Sequence, residues 1–117
     1  MTIPKEKILL VDDEKDIRTI LSKGLTVRGY VCEEAENGDE AMSRLESSPS
    51  DLVIMDINMP GRPGNEILPD MTTRFPETAV IMASGVSDSK VIAKCIKDGA
   101  QDYISKPFRF EQVLSSV

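Results

Sequence analysis

The sequence predicts an α/β fold with a doubly wound, five-stranded parallel sheet. Short apolar runs typical of buried strands alternate five times with segments whose apolar residues recur at the helical period. No repeat, low-complexity tract or linker interrupts this alternation, and 117 residues are enough for one sizeable core but not for two. Parallel strands need crossover connections that cover both faces of the sheet, so strict alternation predicts a doubly wound domain over residues 1–117.

Five short segments are predicted to be the strands, because each is rich in apolar or β-branched residues and is bounded by polar residues, glycine or proline. The run Leu-Val-Ile-Met is apolar at every position, as expected for a central strand that helices cover on both faces. The predicted strands are residues 7–11, 30–35, 52–55, 79–83 and 102–104.

The segments between the strands carry apolar residues at helical spacing. Gly29 is expected to stop the first helix and Gly99 the fourth. The third helix is expected to start late, because Pro69 lacks an amide hydrogen and is therefore assigned to the first turn. The predicted apolar faces are Ile17, Ile20, Leu21, Gly24 and Leu25; Ala41, Met42 and Leu45; Ile67, Leu68, Met71 and Phe75; Val91, Ile92, Cys95 and Ile96; and Phe110, Val113, Leu114 and Val117.

Composition excludes several classes of function. There are 14 basic and 20 acidic residues, a net charge of −6, and no basic stretch, so direct binding to nucleic acid is not expected. The absence of histidine excludes histidine acid–base catalysis and histidine metal ligands. No apolar run approaches the roughly 20 residues that cross a bilayer, so no membrane insertion is expected. Cys32 and Cys95 form no CxxC pair and are expected to be free, buried thiols of a cytoplasmic protein.

Charged residues follow three of the predicted strands. Asp12 and Asp13 come after the first strand, Asp56 after the third and Lys106 shortly after the fifth. Because the carboxyl ends of parallel strands share one edge, where open α/β sheets bind ligands, these side chains are expected in one crevice. Three neighbouring carboxylates repel one another, and a divalent cation such as Mg²⁺ relieves that repulsion. The pattern indicates magnesium-dependent phosphoryl transfer onto a carboxylate.

Each of these motifs alone also has a purely structural interpretation. An Asp-Asp pair at the start of a helix commonly caps that helix. Lys106-Pro107 by itself is a turn dipeptide, Ser84 a small loop residue and Tyr103 a half-buried strand aromatic. It is their joint placement that favours a functional site.

Four segments resemble the receiver domain of two-component response regulators, and the resemblance covers essentially the whole chain. The order and spacing of Asp56, Ser84 and Lys106 are also similar to those of that family. The resemblance implies a flavodoxin-like (βα)5 fold with strand order 2-1-3-4-5. The segments are ILLVDDE (8–14), VIMDINMPG (53–61), MASG (82–85) and DYISKPF (102–108).

The resemblance implies a metal site and a phospho-acceptor. Asp56 corresponds to the aspartate that takes the phosphoryl group. Asp12 and Asp13 correspond to the acidic pair that holds Mg²⁺ together with Asp56, and the backbone carbonyl of Asn58 is implied as a further ligand.

The resemblance also implies roles for the residues around the phosphoryl group. Ser84 would contact it through its hydroxyl, and Lys106 would be its cationic partner. Tyr103 would change rotamer on activation, so that the fourth helix, the fifth strand and the fifth helix form the switching surface. Lys106-Pro107 would be a cis peptide.

By this resemblance the chain is a signalling domain and not an enzyme, apart from its own phosphorylation and dephosphorylation. Its implied partner is a histidine kinase or a phosphotransfer protein. The resemblance leaves open an effector domain beyond Val117 and a dimer that forms on phosphorylation.

Two alternatives remain open at this stage. A phosphatase of the haloacid dehalogenase kind also uses an aspartate after an apolar strand, but it requires a second aspartate where this chain has Asn58. An interaction module that takes no phosphate is the other alternative, and the complete set of site residues counts against it.

Overall fold

Five parallel strands alternate with five helices in the computed structural model, which describes residues 6–106 and 110–116. The strands form one sheet in the order β2-β1-β3-β4-β5, which confirms the predicted fold class and strand order. The elements are β1 (Lys7–Val11), α1 (Lys15–Val27), β2 (Val31–Ala35), α2 (Gly38–Ser47), β3 (Leu52–Met55), α3 (Gly64–Arg74), β4 (Ala79–Ser84), α4 (Ser89–Lys97), β5 (Asp102–Ser105) and α5 (Phe110–Ser116).

The strand register brings the ends of β1 and β3 side by side. Val11 pairs with Met55, so the residues that follow them, Asp12 and Asp56, leave the sheet at the same edge. Backbone hydrogen bonds continue past the strands. The N–H of Asp56 donates to the carbonyl of Val11 at 3.0 Å, and the N–H of Asp12 donates to the carbonyl of Ala35 at 3.1 Å. The main chain of both aspartates is thereby fixed at the carboxyl edge of the sheet.

Apolar side chains pack on both faces of the sheet. Successive residues of a strand point to opposite faces, so Leu9 and Val11 belong to one core while Ile8 and Leu10 belong to the other. All positions of β3 are buried, as predicted for a central strand. Burial of a large apolar side chain contributes roughly 1.5–3 kcal/mol, so the two cores hold the site-bearing strands in place.

Helix α1 buries most of the predicted face, but one predicted residue is exposed and an unpredicted one is buried. Leu21 and Leu25 are buried as expected, but Ile20 is 61% exposed and Arg18 is only 7% exposed. An α-helix turns about 100° per residue, so position 18 lies nearer the direction midway between Leu21 and Leu25 than position 20 does. The prediction for Ile20 was therefore wrong. The helix ends before Gly29, whose φ is 96°, as the sequence predicted.

Helix α3 begins earlier than predicted. It starts at Gly64, so Pro69 lies in its interior, and the prediction of a late start was wrong. A proline inside a helix removes one backbone hydrogen bond and typically costs about 3 kcal/mol. Ile67, Leu68 and Met71 are completely or almost completely buried on either side of Pro69. Their packing offsets that cost, because tertiary contacts supply most of the stability of a helix in a folded domain.

The thiols of Cys32 and Cys95 are free, as predicted. Cys95 is also buried as expected, but Cys32 is only half-buried, so the prediction of burial was wrong for Cys32. Within residues 6–106 and 110–116, no helix has both the length and the apolar character needed for a membrane span.

Candidate functional site

Three carboxylates meet at the carboxyl edge of the sheet. Asp12 and Asp13 follow β1 directly, and Asp56 follows β3. One carboxylate oxygen from each of the three lies within 4.8 Å of the others. The structure thus brings together the three acidic residues that the sequence singled out.

Lys106 is the cation of this cluster. Its Nζ donates to Oδ2 of Asp12 at 2.7 Å and to Oδ2 of Asp56 at 3.0 Å. Its backbone N–H donates to the carbonyl of Ser84 at 2.8 Å, which fixes the turn after β5 against the end of β4. Burial acts to lower the pKa of the Lys106 ammonium, but the hydrogen bonds and charges of the two carboxylates outweigh it, so that pKa is raised.

Asp12 is the more buried member of the acidic pair, with 5% of its surface exposed. Its Oδ1 accepts from the N–H of Glu14 at 2.9 Å, and its Oδ2 accepts from Lys106. Burial raises the pKa of the Asp12 carboxyl, although Lys106 and the Glu14 amide act in the opposite direction. Both carboxylate oxygens of Asp12 are therefore fixed by hydrogen bonds, and the group is largely shielded from solvent.

Asp56 is held from two sides. Its Oδ1 accepts from the N–H of Ile57 at 2.7 Å and from the N–H of Asn58 at 3.3 Å, while Oδ2 faces Lys106. Gly64 packs against its backbone, because a Cβ added at Gly64 would lie 2.0 Å from the carbonyl oxygen of Asp56. The carboxylate is thereby fixed by its own loop and by the first residue of α3.

The residues present fit a hard divalent cation. The donor set at this edge consists of carboxylate oxygens, without histidine or cysteine, and Mg²⁺ prefers such oxygen ligands. Asp13 is exposed, which leaves its carboxylate accessible beside the two buried ones. Asn58, whose backbone carbonyl is the fourth predicted ligand, is exposed, and its backbone N–H donates to Oδ1 of Asp56.

Ser84 and Tyr103 both contact the loop between β4 and α4. Ser84 is completely buried, and its Oγ accepts from the N–H of Val86 at 3.3 Å. The hydroxyl of half-buried Tyr103 donates to the carbonyl of the same Val86. Burial raises the pKa of the Tyr103 phenol, which keeps it protonated as a donor. One loop residue is therefore held by both residues that the sequence predicted to act in a switch.

The sequence prediction missed the role of Arg18, which contacts the backbone of Asp12. Its Nη1 donates to the backbone carbonyl of Asp12 at 2.5 Å, and its Nε donates to Oε1 of Glu34 at 3.0 Å. A signal was present, since position 18 shares a helix face with Leu21 and Leu25. The predicted cis peptide at Lys106-Pro107 and the residue Phe108 lie outside the described residues.

The chain is similar to response regulator proteins over nearly its whole length. Residues 8–117 match the family Response regulator receiver domain. The chain is 36% identical over 112 residues to the chemotaxis protein CheY of Listeria monocytogenes, and the aligned residues make up 95% of this chain and 94% of that CheY. It is 34% identical over 110 residues to the DNA-binding transcriptional regulator NtrC of Salmonella typhimurium, and the aligned residues make up 94% of this chain. The chain spans only 24% of the length of that NtrC.

Solved structures resemble this fold over nearly its full length. A CheY-like response regulator receiver domain protein from Methanospirillum hungatei superposes with a TM-score of 0.91 at 28% identity, covering 96% of this chain and 90% of that one. The signal receiver domain of an HD domain-containing protein from Pseudomonas fluorescens gives a TM-score of 0.91 at 32% identity, covering 97% and 91%.

Proposed function

The chain belongs to the response regulator receiver domain family, and we propose that Asp56 is the residue on which it accepts a phosphoryl group. Its function is that of a receiver domain in two-component signal transduction, where signalling depends on phosphorylation. What is proposed for this chain in particular is the identity of the reacting residue and the part that each neighbour plays.

Asp56 has the contacts that a carboxylate nucleophile requires. A carboxylate attacks weakly, so the phosphoryl group must be held in line and its oxygens neutralised. Two backbone N–H groups fix Oδ1, which leaves the carboxylate in a defined orientation. In the proposed transfer, an oxygen of Asp56 bonds to phosphorus while the bond from phosphorus to the donor's histidine nitrogen breaks. The electron pair of that bond leaves on the nitrogen.

Lys106 and Ser84 are proposed to bind the transferred group. Lysine carries a point charge on a flexible stem and suits contact with a single phosphoryl oxygen. Its Nζ is already 3.0 Å from Oδ2 of Asp56, so a small shift brings it to an oxygen of the new phosphoryl group. The Ser84 hydroxyl is proposed to donate to another oxygen and to draw the loop around Val86 inward. Tyr103, which holds that loop, then changes position on the surface formed by α4, β5 and α5.

Asp12, Asp13 and Asp56, with the backbone carbonyl of Asn58, are proposed to hold Mg²⁺. When bound, the cation would neutralise the carboxylates and the phosphoryl oxygens. The proximity of the three carboxylates, within 4.8 Å of one another, supports this assignment.

Receiver domains pair with histidine kinases, and a histidine kinase or a phosphotransfer protein is proposed as the donor for this chain. Residues 1–117 are proposed to form one receiver domain located in the cytoplasm. An effector domain beyond Val117, as in relatives longer than this chain, and a dimer formed on phosphorylation complete the proposal.

The two alternatives are less well supported. Asn58 stands where a haloacid dehalogenase phosphatase needs a second aspartate, and the receiver family is a signalling family. A module that takes no phosphate does not need an exposed carboxylate, Asp13, beside the buried carboxylates of Asp12 and Asp56. The only chemistry proposed for this chain is its own phosphorylation and dephosphorylation.

The observation that carries the proposal is the position of Lys106, with Nζ 2.7 Å from Asp12 and 3.0 Å from Asp56. The test is incubation with acetyl phosphate and Mg²⁺, followed by mass measurement. One phosphoryl group should be added to the unsubstituted chain and none to Asp56→Asn. Asp70→Asn, at an exposed position of α3, is the matched control and should be labelled normally. Equal labelling of Asp56→Asn and the unsubstituted chain would refute the assignment.

A further inference from the structure

Arg18 is a buried cation that the proposed phosphoryl transfer does not use. It is 7% exposed on α1, and its guanidinium donates to the carbonyl of Asp12 at 2.5 Å and to the carboxylate of Glu34 at 3.0 Å. A buried charge destabilises the folded state unless it is paired and hydrogen-bonded, so the loss of either contact would lower the stability of the folded protein. One of those contacts is to the main chain of a site residue.

The end of β2 holds the backbone of Asp12 by two routes. The N–H of Asp12 donates to Ala35 at 3.1 Å, and its carbonyl accepts from Arg18, which is anchored on the neighbouring Glu34. That carbonyl belongs to the planar peptide that links Asp12 to Asp13. Arg18 therefore fixes the plane of the peptide from which Asp13 projects.

Asp13 has little else to orient it. It is exposed, and its side chain makes no hydrogen bond or ion pair with the residues in 6–106 and 110–116. We propose that Arg18 is a positioning residue which, by orienting the Asp12–Asp13 peptide, presents the Asp13 carboxylate to a divalent cation and so sets the affinity for that cation. This inference rests on the proposed function, which places the cation between Asp12, Asp13 and Asp56.

The charge of Arg18 and its hydrogen bond act on cation affinity in opposite directions. A nearby guanidinium repels a cation, so removal of the charge alone would tighten binding. Removal of the hydrogen bond weakens cation binding, because the mutation of groups that orient metal ligands typically lowers metal affinity by about 10–100-fold. The direction of the change therefore separates positioning from simple electrostatics.

The experiment is calorimetric titration of the whole chain with Mg²⁺. Arg18→Met removes the donors and the charge, and it should raise the dissociation constant by about tenfold. Arg18→Lys keeps the charge but loses the fork that joins Asp12 to Glu34, and it should raise the constant by about threefold, a smaller part of the same effect. A constant that is unchanged or lower in Arg18→Met would overturn the inference. If Arg18→Met does not fold, an unchanged constant in Arg18→Lys would overturn it instead.

Leu25→Ala is the matched control. Leu25 lies on the same face of α1 and is completely buried, so its truncation destabilises the helix without removing any bond to Asp12. Its dissociation constant for Mg²⁺ should equal that of the unsubstituted chain, and a shift as large as that of Arg18→Met would overturn the positioning role. If the unsubstituted chain does not bind Mg²⁺, the proposed function fails as well. If it binds Mg²⁺ and the Arg18 variants bind equally well, the inference alone fails.

Discussion

The ammonium nitrogen of Lys106 lies 2.7 Å from Oδ2 of Asp12, a residue 94 positions earlier in the chain. The side chains are 15% and 8% exposed, respectively, and the same nitrogen contacts Asp56 at 3.0 Å. One lysine is thus the counter-ion of two carboxylates at the ends of adjacent strands. One positive charge offsets only part of the negative charge of the three neighbouring carboxylates, and Lys106 must redistribute its contacts when a cation or a phosphoryl group binds.

Loss of this lysine should destabilise the cation-free protein. Lys106→Met leaves two buried carboxylates without their cation, and the removal of one partner of a buried pair costs about 3 kcal/mol or more. The free energy of unfolding in urea with EDTA should fall by about that amount. With saturating Mg²⁺ the loss should be smaller, because a bound cation compensates the same charges. Lys97→Met, at an exposed position of α4, is the control, and a loss of stability in this variant equal to that in Lys106→Met would contradict the counter-ion role.

The same pair predicts a dependence on alkaline pH. The folded state raises the pKa of Lys106 above its ordinary value of 10.5. A group whose pKa is raised on folding stabilises the protein fully below its unfolded pKa, and this stabilisation is lost as the pH rises through the folded pKa. The difference in unfolding free energy between the unsubstituted chain and Lys106→Met should therefore be constant near pH 8 and shrink above about pH 10.5. Urea unfolding across that range measures it, and a difference that does not vary with pH would argue against the shift.

Asp13→Asn should have opposite effects with and without metal. In EDTA the substitution removes one of three neighbouring negative charges, but Asp13 is exposed and Lys106 already offsets part of the charge of the other two, so a gain of only about 0.5 kcal/mol is expected. In saturating Mg²⁺ the unsubstituted chain gains binding free energy that the variant lacks, and the order should reverse. Parallel thermal melts with EDTA and with Mg²⁺ give both rankings. The same ranking in the two conditions would count against Asp13 as a ligand.

The sheet and its site were predictable, because buried parallel strands are continuously apolar and their carboxyl ends share an edge. The sequence therefore placed Asp12, Asp56 and Lys106 together correctly. The sequence could not show that Asp12 is buried and Asp13 exposed, because the exposure of each side chain depends on the direction in which the chain turns away from the strand.

Two of the differences in the helices have a common physical cause. Local rules place proline outside a helix interior and arginine outside a buried face, so Pro69 was misplaced and the burial of Arg18 was not predicted. In each case a tertiary contact outweighs the local preference. Core packing around Pro69 offsets its missing hydrogen bond, and the carbonyl of Asp12 with the carboxylate of Glu34 satisfies the guanidinium of Arg18.

Gly64 provides a test of how closely α3 must approach the phospho-acceptor loop. A Cβ at this position would lie 2.0 Å from the carbonyl oxygen of Asp56 and 3.2 Å from Cα of Ile57. Both are backbone atoms, which cannot rotate away as a side chain could, so Gly64→Ala must displace the loop or the start of the helix. Such overpacking costs about 1–3 kcal/mol, and the upper end is expected here. Urea unfolding should show that loss, and labelling by acetyl phosphate should slow because the Asp56 carboxylate moves with its backbone.

Gly85→Ala is the matched control for this last prediction, because it adds the same methyl group next to Ser84 at the same edge of the sheet. A Cβ at Gly85 meets nothing within 4 Å, and its φ is outside the positive range. Alanine should therefore be accommodated there and should raise stability by about 0.4–1 kcal/mol, by restricting the unfolded chain. If Gly64→Ala were as stable and as rapidly labelled as Gly85→Ala, close packing of α3 against Asp56 would not be a requirement of the site. If both variants slowed labelling without loss of stability, the mobility of the loops, and not the position of Asp56, would limit the reaction.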